Sequence, residues 1–169
     1  VVRLYTYETF LYRRINYTLR NEDMSKVNTL GAFSFLLQFY ICKSTQNSLM
    51  HNGKICDVVY RGVNFKTEKE WKSEIIKCER NIGKPVTWLG FISSSKDYNI
   101  AKAFMMRNED GYKIMYIIDI VSNKDPSNKK ADISKISSKP SEEEVLFMSG
   151  YEFNIDKIEH GNPTKIFMS

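Results

Sequence analysis

The sequence predicts an α+β fold in which helices precede most of the strands. Apolar residues recur at helical spacing in the first third of the chain. The remainder holds short runs of branched and aromatic residues, each bounded by Gly, Pro, Asn, Asp or Ser. Helices first and strands afterwards are typical of an α+β fold rather than of a parallel βαβ sheet. With 169 residues and 42% hydrophobic content, the chain is expected to form one domain over residues 1–169.

Two helices are expected before any strand. In an amphipathic helix the apolar residues recur every three or four positions, and the polar residues lie on the other faces. In the first helix the apolar residues are Leu11, Ile15 and Leu19. The second helix is expected to be more buried, and its apolar residues are Leu30, Phe33, Leu37 and Ile41.

A third helix is expected to begin at Thr67. Thr67-Glu68-Lys69-Glu70 has the spacing of a capping box, in which the Thr and Glu side chains satisfy each other's backbone N–H groups. Trp71, Ile75 and Cys78 then share one face, and Asn81-Ile82-Gly83 is expected to end the helix.

The rest of the chain is expected to be mainly strands. They are predicted near Val58–Arg61, Thr87–Ser94, Ile114–Ile120, Ala131–Ile136, Glu144–Phe147, Glu152–Ile158 and Lys165–Met168. A short helix is expected near Asn99–Arg107. The stretch from Ser122 to Pro140 is rich in Ser, Lys, Asn and Pro, so it is expected to form exposed loops on either side of a short strand.

The formal net charge of +5 raises the question of a nucleic-acid partner. The lysines are scattered, however, and the basic pairs Arg13-Arg14 and Lys129-Lys130 are not expected to lie in a stripe with interleaved aromatic residues. No nucleic-acid partner is therefore expected, and the cationic surface suits an anionic ligand such as a dinucleotide or an acidic protein. No apolar run approaches the roughly 20 residues that a membrane span needs, so no span is expected.

Other familiar sites are not expected. The chain has three cysteines without CxxC spacing, so no metal site is predicted, and a single Cys42–Cys78 or Cys42–Cys56 disulfide is left open. No GxGxxG or GxxxxGK[ST] segment is present. His51 and His160 are the only histidines, and neither has the context of a Ser/His/Asp triad. Since the chain starts at Val1 and not at a Met, either a mature form or a domain of a longer protein is expected.

A run of three acids directly precedes a predicted strand. Glu142-Glu143-Glu144 is followed by Val145-Leu146-Phe147, and in an extended segment Glu142 and Glu144 would point to one side and Glu143 to the other. The carboxylates of Glu142 and Glu144 would then lie close together on one side of the strand. The alternative is a solvated acidic turn.

Two further segments carry groups suited to chemistry. Arg61 ends a predicted strand and is followed by Gly62, which would let a ligand approach the backbone, while the guanidinium would bind a phosphate. Gly90-Phe91-Ile92-Ser93-Ser94-Ser95 is a strand that runs into three hydroxyl groups. The alternatives are a solvated arginine, and serines that cap or precede the following helix together with Asp97.

In this order, the three segments resemble the Arg–Ser–Glu class of mono-ADP-ribosyltransferases, in its arginine-modifying branch of cholera-toxin-like and ectoenzyme-like proteins. The resemblance lies in Tyr60-Arg61-Gly62, in Phe91-Ile92-Ser93-Ser94-Ser95 where the family has F-x-S-T-S, and in Glu142-Glu143-Glu144-Val145-Leu146 where it has E-x-E-V-L. Ser94 replaces the usual Thr and keeps the hydroxyl. The segments Tyr5 to Arg20 and Ser149 to Phe153 also resemble the family, so the likeness covers nearly the whole chain.

The resemblance implies a fold and a set of residue roles. The expected fold is a split mixed β-sandwich with helices at one end and NAD in a cleft. Glu144 is expected to stabilise the ribosyl cation, and Glu142 to orient an arginine acceptor; Arg61 is expected to contact the NAD phosphates, and Ser93 the nicotinamide-side ribose. Gly62, Ser95, Phe91 and Trp88 are the other expected cofactor-binding residues. The loop from Lys135 to Ser141 is expected to recognise the target.

The implied reaction consumes NAD as a substrate, without a metal, and transfers ADP-ribose to an arginine-containing protein of unknown identity, with release of nicotinamide. A monomer is expected. An NAD glycohydrolase, in which water replaces the acceptor, is an alternative that uses the same residues, and a catalytically silent NAD-binding module of the same fold is another. Whether the protein is a secreted toxin, an ectoenzyme or an intracellular enzyme is left open by the sequence.

Overall fold

A computed structural model of the chain describes residues 1–7, 10–44, 49–107, 110–121 and 129–169. The chain forms two compact units, each assembled from three segments. Unit 1 comprises Val1–Leu49, Thr87–Ser93 and Asp125–Tyr151, and unit 2 comprises Met50–Val86, Ser94–Lys124 and Glu152–Ser169. None of the helices in the described ranges is long and apolar enough to cross a membrane.

Four of the five helices that the structure describes match predicted positions, whereas the short first helix was not predicted, so three helices rather than two precede the first strand. They are α1 (Val2–Tyr5), α2 (Phe10–Arg20), α3 (Val27–Lys43), α4 (Glu68–Arg80) and α5 (Tyr98–Met105). The predicted capping box is confirmed: the side chain of Thr67 accepts from the backbone N–H of Glu70, and the Glu70 carboxylate accepts from that of Thr67, both at 3.3 Å. Short 3-10 turns lie at Met24–Lys26 and Pro140–Glu142.

The strands occupy most of the predicted positions. They are β1 (Met50–His51), β2 (Lys54–Ile55), β3 (Val58–Phe65), β4 (Pro85–Trp88), β5 (Ile92–Ser95), β6 (Tyr112–Asp119), β7 (Lys130–Asp132), β8 (Glu144–Phe147), β9 (Tyr151–Glu159) and β10 (Thr164–Met168). Together with the helices they confirm the predicted α+β class.

Two strand predictions need correction. The predicted strand Thr87–Ser94 is two strands, β4 and β5, with residues 89–91 between them. Gly90 lies in this break and packs closely against Asn16, since an added Cβ would lie 2.8 Å from the Asn16 side-chain oxygen. The predicted strand Ala131–Ile136 ends at Asp132, because the Asp132 carboxylate accepts from both the N–H and the hydroxyl of Ser134 and turns the chain.

The hairpin of β1 and β2 was not predicted from the sequence. The two strands pair antiparallel around Asn52 and Gly53, which both have positive φ angles of 50° and 76°. An Asn-Gly pair with this backbone is the usual two-residue hairpin turn, so the signal was present in the sequence.

Unit 1 has a core in which helices pack with strands. In this unit β5 neighbours β8, and β8 pairs antiparallel with β7. The buried residues of this core are Val2, Tyr5, Ile15, Leu37, Ile41, Phe91, Ala131, Ile133 and Leu146. The apolar faces predicted for the first two helices therefore face inwards, which leaves the opposite faces of these helices available to solvent.

Unit 2 is built on a mixed sheet with the order β4-β9-β10-β6-β3-β5. Strands β3 and β6 pair antiparallel along their full length, from Val58 opposite Asp119 to Phe65 opposite Tyr112. Strand β10 runs parallel to β6 and antiparallel to β9. Ala101 and Met105 of α5 pack with Met115 of β6 in a small buried cluster.

Candidate active site

Glu144 is the first residue of β8, and only 5% of its surface is exposed. The Ser93 hydroxyl donates a hydrogen bond to its Oε1 atom, and the Ser137 hydroxyl donates to its Oε2 atom at 3.5 Å. Its backbone carbonyl accepts from the N–H of Ile133 at 3.0 Å. Because both carboxylate oxygens have a hydroxyl donor, the side chain is fixed in one orientation with its charge compensated by hydrogen bonds.

Ser137 belongs to a loop that was predicted to be exposed. It is buried, and its N–H donates to the Ile133 carbonyl at 2.7 Å, while its hydroxyl oxygen accepts from the N–H of Lys139 at 3.1 Å. Ser138 donates two hydrogen bonds to Thr6, from its N–H to the Thr6 hydroxyl at 2.9 Å and from its hydroxyl to the Thr6 carbonyl at 2.7 Å. The prediction of an exposed loop is therefore wrong for Ser137, which is buried, and for Ser138 and Lys139, which are half-buried, because these hydrogen bonds draw them inwards. Residues 122–128 of the same predicted stretch lie outside the described residues.

Glu142 and Glu143 precede the strand rather than lying in it. Glu142 ends a 3-10 turn that starts at Pro140, and Glu143 has a left-handed backbone with φ 48° and ψ 44°. The prediction that the three glutamates alternate along an extended segment is wrong for this reason. Glu142 is half-buried, and its Oε1 atom lies 3.4 Å from the Lys139 ammonium.

Arg61 lies in unit 2, in the middle of β3 rather than at its end. Its neighbour on β6 is Tyr116, whose hydroxyl donates to Glu74 Oε1 at 2.9 Å. Tyr116 is buried, and burial, followed by the nearby Glu74 carboxylate, holds the pKa of its phenol well above the usual range, with the Arg61 charge acting in the opposite direction. Tyr116 is therefore a neutral hydrogen-bond donor beside Arg61 at physiological pH.

Gly62 is required by the packing of α5. An added Cβ would lie 2.0 Å from the backbone oxygen of Ala101 and 2.8 Å from the Cβ of Met105. The sequence suggested that Gly62 would let a ligand approach the backbone. In the structure, the group that approaches Gly62 is helix α5. Gly62 thus holds α5 against β3 next to Arg61.

Ser95 and Asp97 form the start of α5, also in unit 2. The hydroxyl of Ser95 accepts from the N–H of Asp97 at 3.0 Å, and the Asp97 carboxylate accepts from the N–H of Asn99 at 2.7 Å. Asp97 is the N-cap of the helix, as the sequence allowed. The last serine of the triplet is therefore part of a turn that carries the chain from β5 into α5.

The two aromatic candidates lie in different surroundings within unit 1. Phe91 is buried in the core, where its ring meets that of Tyr5 edge to face at 5.6 Å between centroids. Trp88 is half-buried, and its carbonyl accepts from the N–H of Gly150 at 2.9 Å. Of the two, Trp88 has more ring surface available to a ligand.

In the part of the chain that the structure describes, Cys42, Cys56 and Cys78 form no disulfide, so neither of the disulfides left open by the sequence is present. Burial, and next the Glu74 carboxylate, raises the pKa of the Cys78 thiol to about 12. Among the described residues, no three His, Cys, Asp or Glu side chains are grouped closely enough to hold a metal ion.

The structure therefore brings together Ser93 and Glu144, which the sequence predicted, and adds Ser137, which it did not. Ser137 lies in a Ser- and Lys-rich segment, and no spacing or motif separates it from the serines on either side. Its role becomes visible only when the loop folds back onto β8.

The family of the chain follows from comparison with known proteins. A family model described as NAD:arginine ADP-ribosyltransferase matches residues 1–168. The chain belongs to this family. The family and the fold support NAD-dependent transfer of ADP-ribose as its activity. No curated protein sequence matches the chain significantly.

Solved structures of similar fold are ADP-ribosyltransferases. The ADP-ribosyltransferase Vis in complex with agmatine is 23% identical, with a TM-score of 0.70 over 99% of this chain and 70% of that chain. A structure of Vis toxin from Vibrio splendidus is 25% identical, with a TM-score of 0.61 over 99% of this chain and 69% of that chain. The Clostridium limosum C3 exoenzyme is 18% identical, with a TM-score of 0.68 over 98% and 80%. The predicted ADP-ribosyltransferase fold is thereby confirmed.

Proposed function

We propose that residues 1–169 form a single catalytic domain that transfers ADP-ribose from NAD to an arginine side chain of a protein and releases nicotinamide. The observation that carries this proposal is the buried Glu144 carboxylate, held by hydroxyl donors from Ser93 and Ser137. A fixed carboxylate of this kind suits a reaction in which positive charge develops on a sugar.

Glu144 is the catalytic carboxylate in this proposal. Cleavage of the bond between nicotinamide and the ribose C1′ sends the bonding electron pair to nicotinamide, which leaves as a neutral molecule. The ribose then carries oxocarbenium character, and a carboxylate close to C1′ lowers the energy of this state. Ser93 supports both the ribose and the carboxylate, and Ser137 keeps the carboxylate from rotating.

Glu142 is assigned to the acceptor. One of its contacts is with the ammonium group of Lys139 at 3.4 Å, so the carboxylate already binds a cation. A substrate guanidinium would bind the same carboxylate through two parallel N–H bonds, which is stronger than a single ammonium contact. Glu142 then accepts the proton that the attacking nitrogen loses as it bonds to C1′. Agmatine, which is bound in one of the Vis structures, carries the same guanidinium group.

Arg61 is assigned to the NAD diphosphate, because a guanidinium binds phosphate oxygens in pairs and stays charged at all physiological pH values. Gly62 holds α5 beside this strand, and Ser95 starts that helix. Trp88 is assigned to the surface that NAD covers, whereas Phe91 is buried in the core and is not assigned a contact with NAD. The reaction needs NAD and a protein acceptor, and the chain is proposed to act as a monomer with no metal.

The role of Glu144 is tested by measuring nicotinamide release from NAD and, separately, NAD binding by calorimetry. Glu144→Gln is expected to lower the rate of release by about 100-fold or more, because the charge facing the ribosyl cation is lost, and to leave the affinity for NAD within a few-fold. Glu152→Gln, at an exposed position on β9, is the matched control and is expected to behave as wild type. Wild-type protein that binds NAD without releasing nicotinamide would instead be the silent module.

A further inference from the structure

Helix α2 presents aromatic and basic side chains on one face. Phe10 and Tyr17 are 81% and 59% exposed, and Arg13 and Arg14 between them are exposed as well. Residues three and four apart lie on the same side of a helix, so these four side chains form one continuous stripe. The prediction that Arg13-Arg14 would not be interleaved with aromatic residues is therefore wrong.

The segment before α2 also exposes apolar residues. Val1, Leu4 and Tyr7 are all exposed, Leu4 and Tyr7 by 62% and 69%, at a regular spacing of three residues. These residues and the four on α2 together are named the N-terminal stripe. Large apolar side chains that are singly exposed are common on protein surfaces, but a row of them on one segment marks a surface that meets another molecule.

The charge of the stripe has one sign. Helices α1 and α2 contain four arginines and no acidic residue, and Glu8, between the two helices in the sequence, lies outside the described residues. No ion pair joins Arg13 or Arg14 to another described residue, and the acidic side chains that follow in the chain, Glu22 and Asp23, lie beyond the end of α2. Asp23 caps the next turn through the N–H of Ser25, and the hydrogen bonds from Ser25, with smaller contributions from the charges of Lys26 and Arg14, lower the pKa of its carboxyl. The guanidinium groups of Arg13 and Arg14 are exposed, so an anionic partner can reach them.

We propose that the N-terminal stripe binds the surface of a membrane that contains anionic lipids. Arginine guanidinium groups bind lipid phosphates, while aromatic and leucine side chains beside them enter the boundary between headgroups and acyl chains. A lipid surface is fluid and needs no pocket, so it accommodates side chains that project outward from a helix. A nucleic acid would gain from the aromatic rings but not from Val1 and Leu4, which cannot stack on bases.

The proposal is tested by co-sedimentation of the 169-residue chain with vesicles of phosphatidylcholine, with or without one part in about three of phosphatidylserine. Binding is expected only to the anionic vesicles and is expected to weaken as sodium chloride is raised. Arg13→Gln combined with Arg14→Gln is expected to weaken binding by about 30-fold, since each basic residue near such a surface contributes about 1 kcal/mol. Phe10→Ser combined with Tyr17→Ser is expected to weaken binding while leaving its salt dependence unchanged.

The matched control is Lys77→Gln combined with Arg80→Gln. This pair removes the same charge from exposed positions on α4, outside the stripe, and is expected to change binding by less than about twofold. Equal loss of binding in the control, or equal binding to uncharged vesicles, would overturn the proposal. So would preferential binding to single-stranded DNA over vesicles, or a dimer in light scattering that the Phe10 and Tyr17 substitutions dissociate, because the stripe would then serve a different partner.

Discussion

Glu144 is fixed at three atoms, and each contact comes from a different part of unit 1. Ser93 on β5 and Ser137 in the loop before β8 donate to the carboxylate, and Ile133 donates to the backbone carbonyl. Only the first of these contacts follows from the motifs in the sequence. The others depend on how the loop folds, so their effect on the reaction has to be measured.

Ser137→Ala is expected to lower the turnover of nicotinamide release by about tenfold. The substitution removes a donor to a charged acceptor, which contributes about 1.5–3 kcal/mol at most, and the contact of 3.5 Å is long. The matched control is Ser138→Ala, because this serine donates to the Thr6 carbonyl and not to Glu144. A similar loss of turnover in both variants would show that the loop acts through its fold alone.

Gly62→Ala is expected to destabilise the protein by more than about 2 kcal/mol in urea unfolding. The new Cβ would meet the backbone oxygen of Ala101 at 2.0 Å, so α5 would have to move away from β3. Gly31→Ala is the matched control inside helix α3, where the nearest atom lies at 3.6 Å. That variant is expected to gain about 0.5–1 kcal/mol, because alanine favours a helix interior over glycine. Equal effects in the two variants would contradict the packing described for Gly62.

At the scale of helices and strands, prediction succeeded where the pattern is local. The apolar periodicity of α2 and α3 and the capping box of α4 depend on residues within one or two turns, and the structure confirms them. Prediction failed where a distant contact or a special backbone angle decides. The left-handed Glu143 keeps Glu142 out of the strand that begins at Glu144, and the side-chain turn at Asp132 ends β7 earlier than the residue pattern suggests.

Thr67→Ala is expected to cost about 1 kcal/mol in the free energy of unfolding, because it removes the acceptor for the Glu70 N–H and the hydroxyl that contacts the Glu70 carboxylate. Thr67→Ser keeps the hydroxyl and is expected to stay within about 0.5 kcal/mol of wild type. Chemical denaturation of the two variants checks this directly. A loss with serine as large as the loss with alanine would mean that the Thr67 methyl group, rather than the cap, stabilises the helix start.

At the scale of the whole molecule, the family was predicted mainly from the order of the three motifs that contain Arg61, Ser93 and Glu144. Arg61, Ser93 and Glu144 are far apart in the sequence, and composition and periodicity alone do not connect them. Their order resembles one family, and the match of the family model over residues 1–168 confirms it. The details that the resemblance did not provide are particular to this chain: the hydroxyl of Ser137, the turn that carries Glu142 and the N-terminal stripe on α2.

The acceptor is assigned from the site and not from the fold, because the Vis and C3 enzymes share this fold at 25% identity or less. The arginine assignment depends instead on Glu142, which lies two residues before Glu144 and holds a cation in the structure. A change of acceptor chemistry should therefore follow from a change at this one residue.

The most direct test is to supply NAD and agmatine to the wild type and to Glu142→Gln and Glu143→Gln, and to measure ADP-ribosyl-agmatine by mass spectrometry alongside nicotinamide. The wild type and Glu143→Gln are expected to form the adduct. Glu142→Gln is expected to lose it by about 100-fold, because the group that orients and deprotonates the guanidinium is gone, while nicotinamide release continues. Nicotinamide release by the wild type without any adduct, or full adduct formation by Glu142→Gln, would contradict arginine transfer through Glu142.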